Sequence, residues 1–172
     1  AKAEVEREPF SFLKIDRAET GLPDEVDTYA PCVYERARTL LEEMTANGIF
    51  VREKIPCYYV YELTMDGRAQ TGIAACSSID DYLGNVIKKH ENTRAEKEED
   101  RVRHVDVCDA QTGPIFLAYR AREDINAIVA EAKQTASLYD FTAVDGVRHV
   151  VWRIDQADQM RALVEAFARI PN

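Results

Sequence analysis

Carboxylates, cations and two imidazoles are concentrated in one short segment of the chain, residues 86–106. Four of its residues are spaced at i, i+3, i+4 and i+7, namely Lys97, Asp100, Arg101 and His104. On an α-helix, residues three, four and seven positions apart lie on the same face. The spacing therefore predicts a helix that presents an ammonium, a carboxylate, a guanidinium and an imidazole to one place.

The start of this helix has its own sequence signal. Thr93 followed by Glu96 is typical of a capping box, so we predict a helix over residues 94–107 that is capped by Thr93. The free N–H groups and positive dipole of a helix N-terminus suit an anion such as phosphate. His90 and Glu91 come just before the cap, and we expect both side chains to face the same groove.

The same helix also fits a simpler interpretation, a solvated surface helix crossed by ordinary ion pairs. The expected pairs are Lys97 with Asp100 and Glu99 with Arg103. The spacing alone favours this interpretation, because charged surface helices are more common than sites with perturbed titration. Both interpretations stay open on the spacing.

Composition limits the class of protein. The 172 residues are 46% hydrophobic and 31% charged, which predicts a single globular domain over residues 1–172. The net charge of −9 argues against a nucleic-acid partner, because DNA-binding proteins usually carry a basic face. Residues 88–104 nevertheless contain six bases and five acids. This local enrichment suits a small anionic ligand better than a long polyanion.

Cysteine usage and hydropathy predict the setting of the protein. The four cysteines lie far apart and only three histidines are present, so no spacing typical of a zinc site occurs and we predict no metal ligands of that kind. Scattered, reduced thiols are typical of a cytoplasmic protein. No apolar run approaches the roughly 18 residues that a membrane span requires, so we predict no membrane partner.

Periodicity predicts an α+β fold with a mixed, largely antiparallel sheet and several flanking helices. Asp66-Gly67 and Asp145-Gly146 are typical of hairpin turns. The predicted strands are 10–15, 57–64, 71–77, 115–119, 140–143 and 147–154, and residues 86–90 are expected to be a short strand or the exit from one. The predicted helices are 1–8, 31–46, 94–107, 123–135 and 158–170, and residues 78–85 are expected to form a short helical turn or a loop. The tyrosines at 58, 59 and 61 are expected to pack a sheet, with stacking on a base as the alternative.

Four segments distributed along nearly the whole chain resemble one bacterial protein family. They are FSFL at 10–13, YYVY with GRAQTG at 58–61 and 67–72, the motif KHExTxxxKxxDR at 89–101, and TGPIF at 112–116. Together they resemble the signature of domain-of-unknown-function family 1015, a family that is often labelled SpoOJ/ParB-like.

The resemblance implies a relation to ParB and sulfiredoxin domains, some of which bind nucleotides and some of which phosphorylate free serine. The resemblance therefore also implies that the full-length protein is a phosphotransferase, such as a small-molecule kinase, that works with ATP or ADP and Mg²⁺. Its implied catalytic residues are His90, Glu91 and Asp100, and its implied phosphate-binding residues are Thr93, Lys97, Arg101 and His104. The alternative is a non-catalytic regulatory module that binds a small anion.

The resemblance also implies a longer protein. Members of the family continue beyond the point that matches Asn172 into a strand and an Asp-Gly-His-His-Arg motif, so we expect this chain to be a fragment. An apolar surface is then expected beside the last helix and the first strand, where the absent segments would pack. A homo-oligomer is the other way in which this surface would be covered.

Overall fold

The computed structural model describes residues 1–170, which form seven α-helices, four β-strands and a 3-10 turn at Ala18–Gly21. The elements are Lys2–Arg7 (α1), Leu13–Asp16 (α2), Pro31–Ala46 (α3), Tyr58–Met65 (β1), Arg68–Ala74 (β2), Ile79–Leu83 (α4), Ala95–Cys108 (α5), Glu123–Ala132 (α6), Tyr139–Thr142 (β3), Arg148–Ile154 (β4) and Ala157–Ala168 (α7). The predicted α+β class is confirmed, and the described sheet is antiparallel throughout.

The chain forms two compact units, each built from two stretches of sequence. The helical unit comprises residues 1–52 and 90–117, and it contains α1, α2, α3 and α5. The sheet unit comprises residues 53–89 and the described residues from 118 onward, and it contains all four strands with α4, α6 and α7. Each unit has a separate cluster of buried apolar side chains.

The core of the helical unit is built around α3. This helix begins at Pro31, whose fixed φ suits the first helical position, and it ends before Gly48, which has a φ of +72°. Both ends were predicted from these residues. The cluster of buried apolar side chains in the unit comes from α2, the 3-10 turn, α3 and α5, and it consists of Ile15, Ala18, Val33, Ala37, Met44 and Cys108.

The sheet consists of two hairpins joined side by side, in the order β2-β1-β4-β3. The turn between β1 and β2 has Asp66 and Gly67 at positive φ, and Gly146 at +83° closes the turn between β3 and β4. Both hairpins were predicted from their Asp-Gly pairs. β1 and β4 join the hairpins in the middle of the sheet, with Val60 opposite Trp152.

One face of the sheet packs on α6 and α7. The core on this side consists of Val60, Ile125, Ala132, Val150, Trp152, Ile154, Leu163 and Ala166. Of the tyrosine cluster, Tyr58 packs against this core, whereas Tyr59 and Tyr61 occupy the alternate positions on the opposite face. Of the three tyrosines that were predicted to pack a sheet, Tyr58 is the one that packs into the core between the sheet and the helices.

A charged contact ties α6 to the same side of the sheet. The Glu62 carboxylate accepts hydrogen bonds from the Lys133 ammonium, at the end of α6, and from the Thr71 hydroxyl. Both bonds hold the pKa of Glu62 below its ordinary value, and the bond from Lys133 has the larger effect. The Lys133 ammonium also lies 5.5 Å from the centre of the Trp152 ring.

Three of the predicted strands are wrong. Residues 10–15 were predicted as a strand from their alternation, but Leu13–Asp16 is the helical turn α2. Ile15 is fully buried at this turn, and the spacing of Phe12 and Ile15 is equally compatible with one helix face. The apolar surface that was predicted beside the last helix and a first strand depended on this strand. The exposed side chains of Phe10 and Phe12 instead accompany a helical turn.

The other two wrong strands lack a partner strand among the described residues. Residues 86–90 leave α4, with the N–H groups of Val86 and Ile87 both donating to the Asp81 carbonyl oxygen. Residues 115–119 have no regular secondary structure, and Ile115 and Phe116 are mostly exposed. An apolar run becomes a strand only where a neighbouring strand accepts its backbone hydrogen bonds.

Candidate functional site

His104 fixes the orientation of α5 within the helical unit. Its side chain is buried, with 8% exposed, and its Nε2 lies 3.1 Å from the carbonyl oxygen of Ile15. A carbonyl oxygen only accepts, so Nε2 carries the proton and Nδ1 is left to accept from the Thr112 hydroxyl at 3.3 Å. Both ring nitrogens are therefore engaged inside the unit, and the predicted phosphate-binding role of His104 stays a prediction.

Asp100, one turn earlier on α5, is bound by a buried phenol of α3. The Tyr34 hydroxyl donates to Oδ1 of Asp100 over 2.9 Å, and Tyr34 is only 4% exposed. Burial, and then this hydrogen bond to a carboxylate, raise the pKa of Tyr34 to about 12. Tyr34 therefore stays a neutral donor over the whole physiological pH range.

The two cations on this face of α5 are held differently. Arg101 uses Nη1 to donate to Oδ1 of Asp16 over 3.0 Å, which leaves the remainder of its planar fork free. Lys97 donates from Nζ to the hydroxyl of Tyr29 over 2.7 Å, and this bond raises the lysine pKa. Within residues 1–170 Lys97 forms no ion pair with a carboxylate, so its charge is not neutralised by direct contact.

These four side chains border one cavity of about 170 Å³. Its lining consists of Asp16, Arg17, Ala18, Glu19, Thr28, Tyr29, Val33, Tyr34, Lys97, Asp100, Arg101 and His104. The spacing at 97, 100, 101 and 104 thus brings the four predicted residues to one place on a helix, as expected. Three acids and three bases share the lining, and most of them are already paired with one another.

The predicted residues before the helix are placed elsewhere. His90 and Glu91 are exposed, and neither is among the residues that line the cavity. The predicted cap at Thr93 is wrong, because α5 begins at Ala95 with Arg94 in the capping position and no side-chain cap. The backbone carbonyl of Arg94, with its extended φ and ψ, opens the helix instead. Catalytic or phosphate-binding roles for these three residues stay predictions.

The simpler interpretation of α5 also describes part of the helix. Arg103 and Glu99 form an ion pair one turn apart on the exposed side, as expected for a solvated surface helix. Lys97 and Asp100 do not form the expected pair, since each has a tyrosine partner instead. The two interpretations therefore apply to different faces of the same helix.

Eight residues of the lining were not predicted from the sequence, and three of them, Asp16, Tyr29 and Tyr34, bond directly to predicted residues. Asp16 followed a run that alternates like a strand, and Tyr29 lies in a loop without periodic pattern, so no signal indicated either. Tyr34 had a signal, because it is three residues before Ala37 on the buried stripe of α3. A tyrosine on a buried stripe needs a hydrogen-bond partner, and that need indicates a polar neighbour.

The described residues offer little for a resident metal. Among residues 1–170 no group of three or more histidine, cysteine, aspartate or glutamate side chains is arranged to hold a metal ion. All four cysteines are free thiols, and burial raises the pKa of Cys108. Across the same residues there is no helix with the length and apolar character of a membrane span.

The α+β fold and the polar cavity on α5 define a globular protein with a candidate site for a small polar ligand. The chain belongs to the family described as Protein of unknown function (DUF1015), which matches it over residues 1–172. Comparisons with curated proteins and with solved structures gave no match.

Proposed function

We propose that the chain is part of a phosphate- or nucleotide-handling protein and that a ligand phosphate binds between Lys97 and Arg101. The observation that carries the proposal is the state of these two cations at the cavity. The Lys97 ammonium is held only by a neutral hydroxyl within residues 1–170, and Arg101 uses only Nη1 on Asp16. The two residues are one helical turn apart, close enough for the oxygens of one phosphate to meet both.

The neighbouring groups have distinct roles in this proposal. Tyr29 and Asp16 hold the two cations in place before a ligand arrives, which reduces the entropy that binding would otherwise cost. Asp16 also competes with a ligand phosphate for Arg101. Asp100 is oriented by Tyr34 through Oδ1, so that its Oδ2 is the remaining acceptor.

Mg²⁺ suits this site only as a companion of the ligand. Magnesium is usually bound by one or two carboxylates together with substrate phosphates and water, rather than by a cage of protein ligands. Asp16 and Asp100 supply two carboxylates to the lining, each already bound through Oδ1. The ion would neutralise charge on the phosphates of ATP or ADP, and these two side chains would orient it.

Binding is better supported than phosphoryl transfer. Transfer needs a base or a positioned hydroxyl at the ligand. The imidazole that lies at the cavity, His104, has both nitrogens engaged, and the second predicted imidazole, His90, does not line it. A phosphotransferase in a longer protein is therefore the finer form of the proposal, and a module that binds a small anion is its simpler form.

Calorimetry with ATP and ADP in the presence of Mg²⁺, and with pyrophosphate alone, tests the binding proposal. A charge-assisted hydrogen bond contributes about 1.5–3 kcal/mol, so Lys97→Ala and Arg101→Ala should each weaken binding by roughly 10- to 100-fold. Arg101→Lys keeps the charge but loses the planar fork, and it should fall between wild type and Arg101→Ala. Asp16→Asn should strengthen binding of pyrophosphate in the absence of Mg²⁺, because it removes the carboxylate that competes for Arg101.

Arg103→Ala is the matched control, because Arg103 is on α5 but pairs with Glu99 away from the cavity. Equal losses for Arg94→Ala, Arg101→Ala and Arg103→Ala would mean that only general charge is sensed, and the specific site would have to be abandoned. Turnover of ATP or ADP by the wild type, measured beside the shift in melting temperature, separates a phosphotransferase from a binding module.

A further inference from the structure

The second face of the sheet, opposite α6 and α7, has an unusual composition. The strand register and the alternation of side chains place thirteen residues there, namely Tyr59, Tyr61, Leu63, Met65, Arg68, Gln70, Gly72, Ala74, Tyr139, Phe141, His149, Val151 and Arg153. None of them is acidic, although the chain has 31 acidic residues and a net charge of −9. We call this surface the outer sheet face.

Three rings on the outer sheet face form a continuous group across three strands. The Phe141 and His149 rings are 5.0 Å apart between centroids and 11° from parallel. The Tyr61 and His149 rings are 6.0 Å apart and 20° from parallel, and the Tyr61 hydroxyl shares a hydrogen bond of 2.7 Å with Nδ1 of His149. The cross-strand contacts and this bond hold the rings in fixed orientations.

The ring group is accessible. Phe141 and Tyr61 are 54% and 38% exposed, and Tyr139 on the edge strand β3 is more exposed still. On the other side of Tyr61, the directly opposite residue of β2 is Gly72. A Cβ placed on Gly72 would have no atom within 4 Å, so the absence of a side chain leaves open space beside Tyr61.

We propose that the outer sheet face binds a free mononucleotide, with its base stacked on the Tyr61 end of the ring group, beside the open space at Gly72. Aromatic side chains stack on any nucleobase because every base has a π-face. Arg68 adds an outward-facing cation that has no ion-pair partner among residues 1–170. The carboxylates that border this face, Glu53 and Asp155, are both paired with Arg153. This site lies in the sheet unit and does not depend on the cavity at α5.

Charge decides between a mononucleotide and the other occupants of such a face. A nucleic-acid strand gains most of its affinity from many phosphate contacts, and a chain with a net charge of −9 opposes a long polyanion. The second outward-facing arginine, Arg153, is already paired with Glu53 and Asp155. A second copy of the chain would bring two copies of this face together, and the carboxylates that border it, Glu53 and Asp155, are already paired with Arg153.

The proposal is tested by measuring the binding of AMP, adenosine and pyrophosphate to the whole chain. Calorimetry gives the affinities, and chemical-shift changes of the ring protons show whether the rings are contacted. AMP and adenosine should both bind and should perturb the rings of Tyr61 and Phe141. Tyr61→Leu should weaken both ligands about tenfold or more, since stacking on a base carries that much affinity. Phe141→Leu, which removes the ring on the far side of His149, should weaken them less. The matched control is Tyr82→Leu, which removes an exposed ring of the same unit away from the sheet.

Gly72→Leu gives a test that loss of folding cannot imitate. The position is open and does not have positive φ, so the variant should keep the melting temperature of the wild type. It should nevertheless weaken AMP about tenfold, because the new side chain fills the space beside Tyr61. Wild-type affinity for AMP in Gly72→Leu would overturn the placement of the ligand.

Other outcomes would overturn the proposal itself. They are the absence of any adenosine or AMP binding, a ring-dependent dimer in place of ligand binding, and binding of single-stranded oligonucleotides with steep salt dependence while AMP does not bind. Pyrophosphate carries no ring, so its failure to bind would count against the site at Lys97 and Arg101 and not against the outer sheet face. If adenosine failed to bind, that result would count against the outer sheet face and not against the site at Lys97 and Arg101.

Discussion

Removing the hydroxyl of Tyr34 is the sharpest test of how the helical unit positions α5. In Tyr34→Phe the ring still fills its buried place on α3, and only the hydrogen bond to Asp100 is lost. Hydrogen bonds to charged groups contribute about 1.5–3 kcal/mol. Asp100 is half-buried, so that water replaces part of the lost bond. We therefore expect the lower end of the range, a loss of about 1.5 kcal/mol in the free energy of unfolding.

The raised pKa of Tyr34 gives a second, independent expectation. Its folded-state pKa of about 12 lies above the ordinary value of 10.0, because burial and the Asp100 carboxylate both oppose the phenolate. A raised pKa contributes stability that is fully present below pH 10 and is lost as the pH rises from 10 to 12. A difference of two pKa units corresponds to roughly 3 kcal/mol between the ends of that window.

Urea unfolding at pH 7, and at steps from pH 9 to 12, measures both effects. Tyr29→Phe is the matched control, because Tyr29 also loses a hydroxyl at the cavity but is an exposed residue bound to an exposed ammonium. We expect its loss to stay below about 1 kcal/mol. The reasoning is refuted if Tyr34→Phe is as stable as the wild type at pH 7. It is also refuted if Tyr34→Phe loses as much stability between pH 10 and 12 as the wild type does.

Three further changes test other contacts by chemical denaturation. Ile15→Ala should cost about 2–5 kcal/mol, since Ile15 is fully buried in the helical unit, and a smaller loss would show a loosely packed core. Glu62→Gln should destabilise the protein at pH 7 by roughly 1–3 kcal/mol. Because Lys133 lowers the pKa of Glu62, the wild type should lose this stability as the pH falls below about 4.5, and the variant should lack that acid-dependent step. Gly146→Ala places a side chain at a φ of +83° and should cost about 1–2 kcal/mol, whereas Gly72→Ala should be nearly neutral.

Local signals sufficed for the elements whose pattern is long or whose turn chemistry is specific. The apolar stripe of α3 extends over several turns between Pro31 and Asn47, and the two Asp-Gly hairpins define their own register. The spacing of Lys97, Asp100, Arg101 and His104 was sufficient to place them together, because a helix fixes which residues share a face.

The remaining features depend on tertiary contacts that a single sequence does not encode locally. Residues 10–15 are too short for period two and period 3.6 to be distinguished, and the burial of Ile15 against α3 decides for a helix. Residues 115–119 have strand-like composition, yet strand pairing requires a partner that the pattern cannot specify. Asp16 and Tyr29 reach the cavity only because α2 and a loop pack beside α5.

The pairing of β1 with β4 has a consequence for how the chain is made. Tyr58 pairs with Ile154 and Thr64 with Arg148, so the partners are separated by 96 and 84 residues along the chain. The first hairpin is complete at Ala74, and at a synthesis rate of about 5–20 residues per second it waits roughly 4–16 seconds for β4. During that interval the edge of β1 that later pairs with β4 is unpaired, and Val60 lacks its native neighbour Trp152. We expect nascent chains to be most prone to aggregation in that interval, and a chaperone that covers hydrophobic strands to be most useful there.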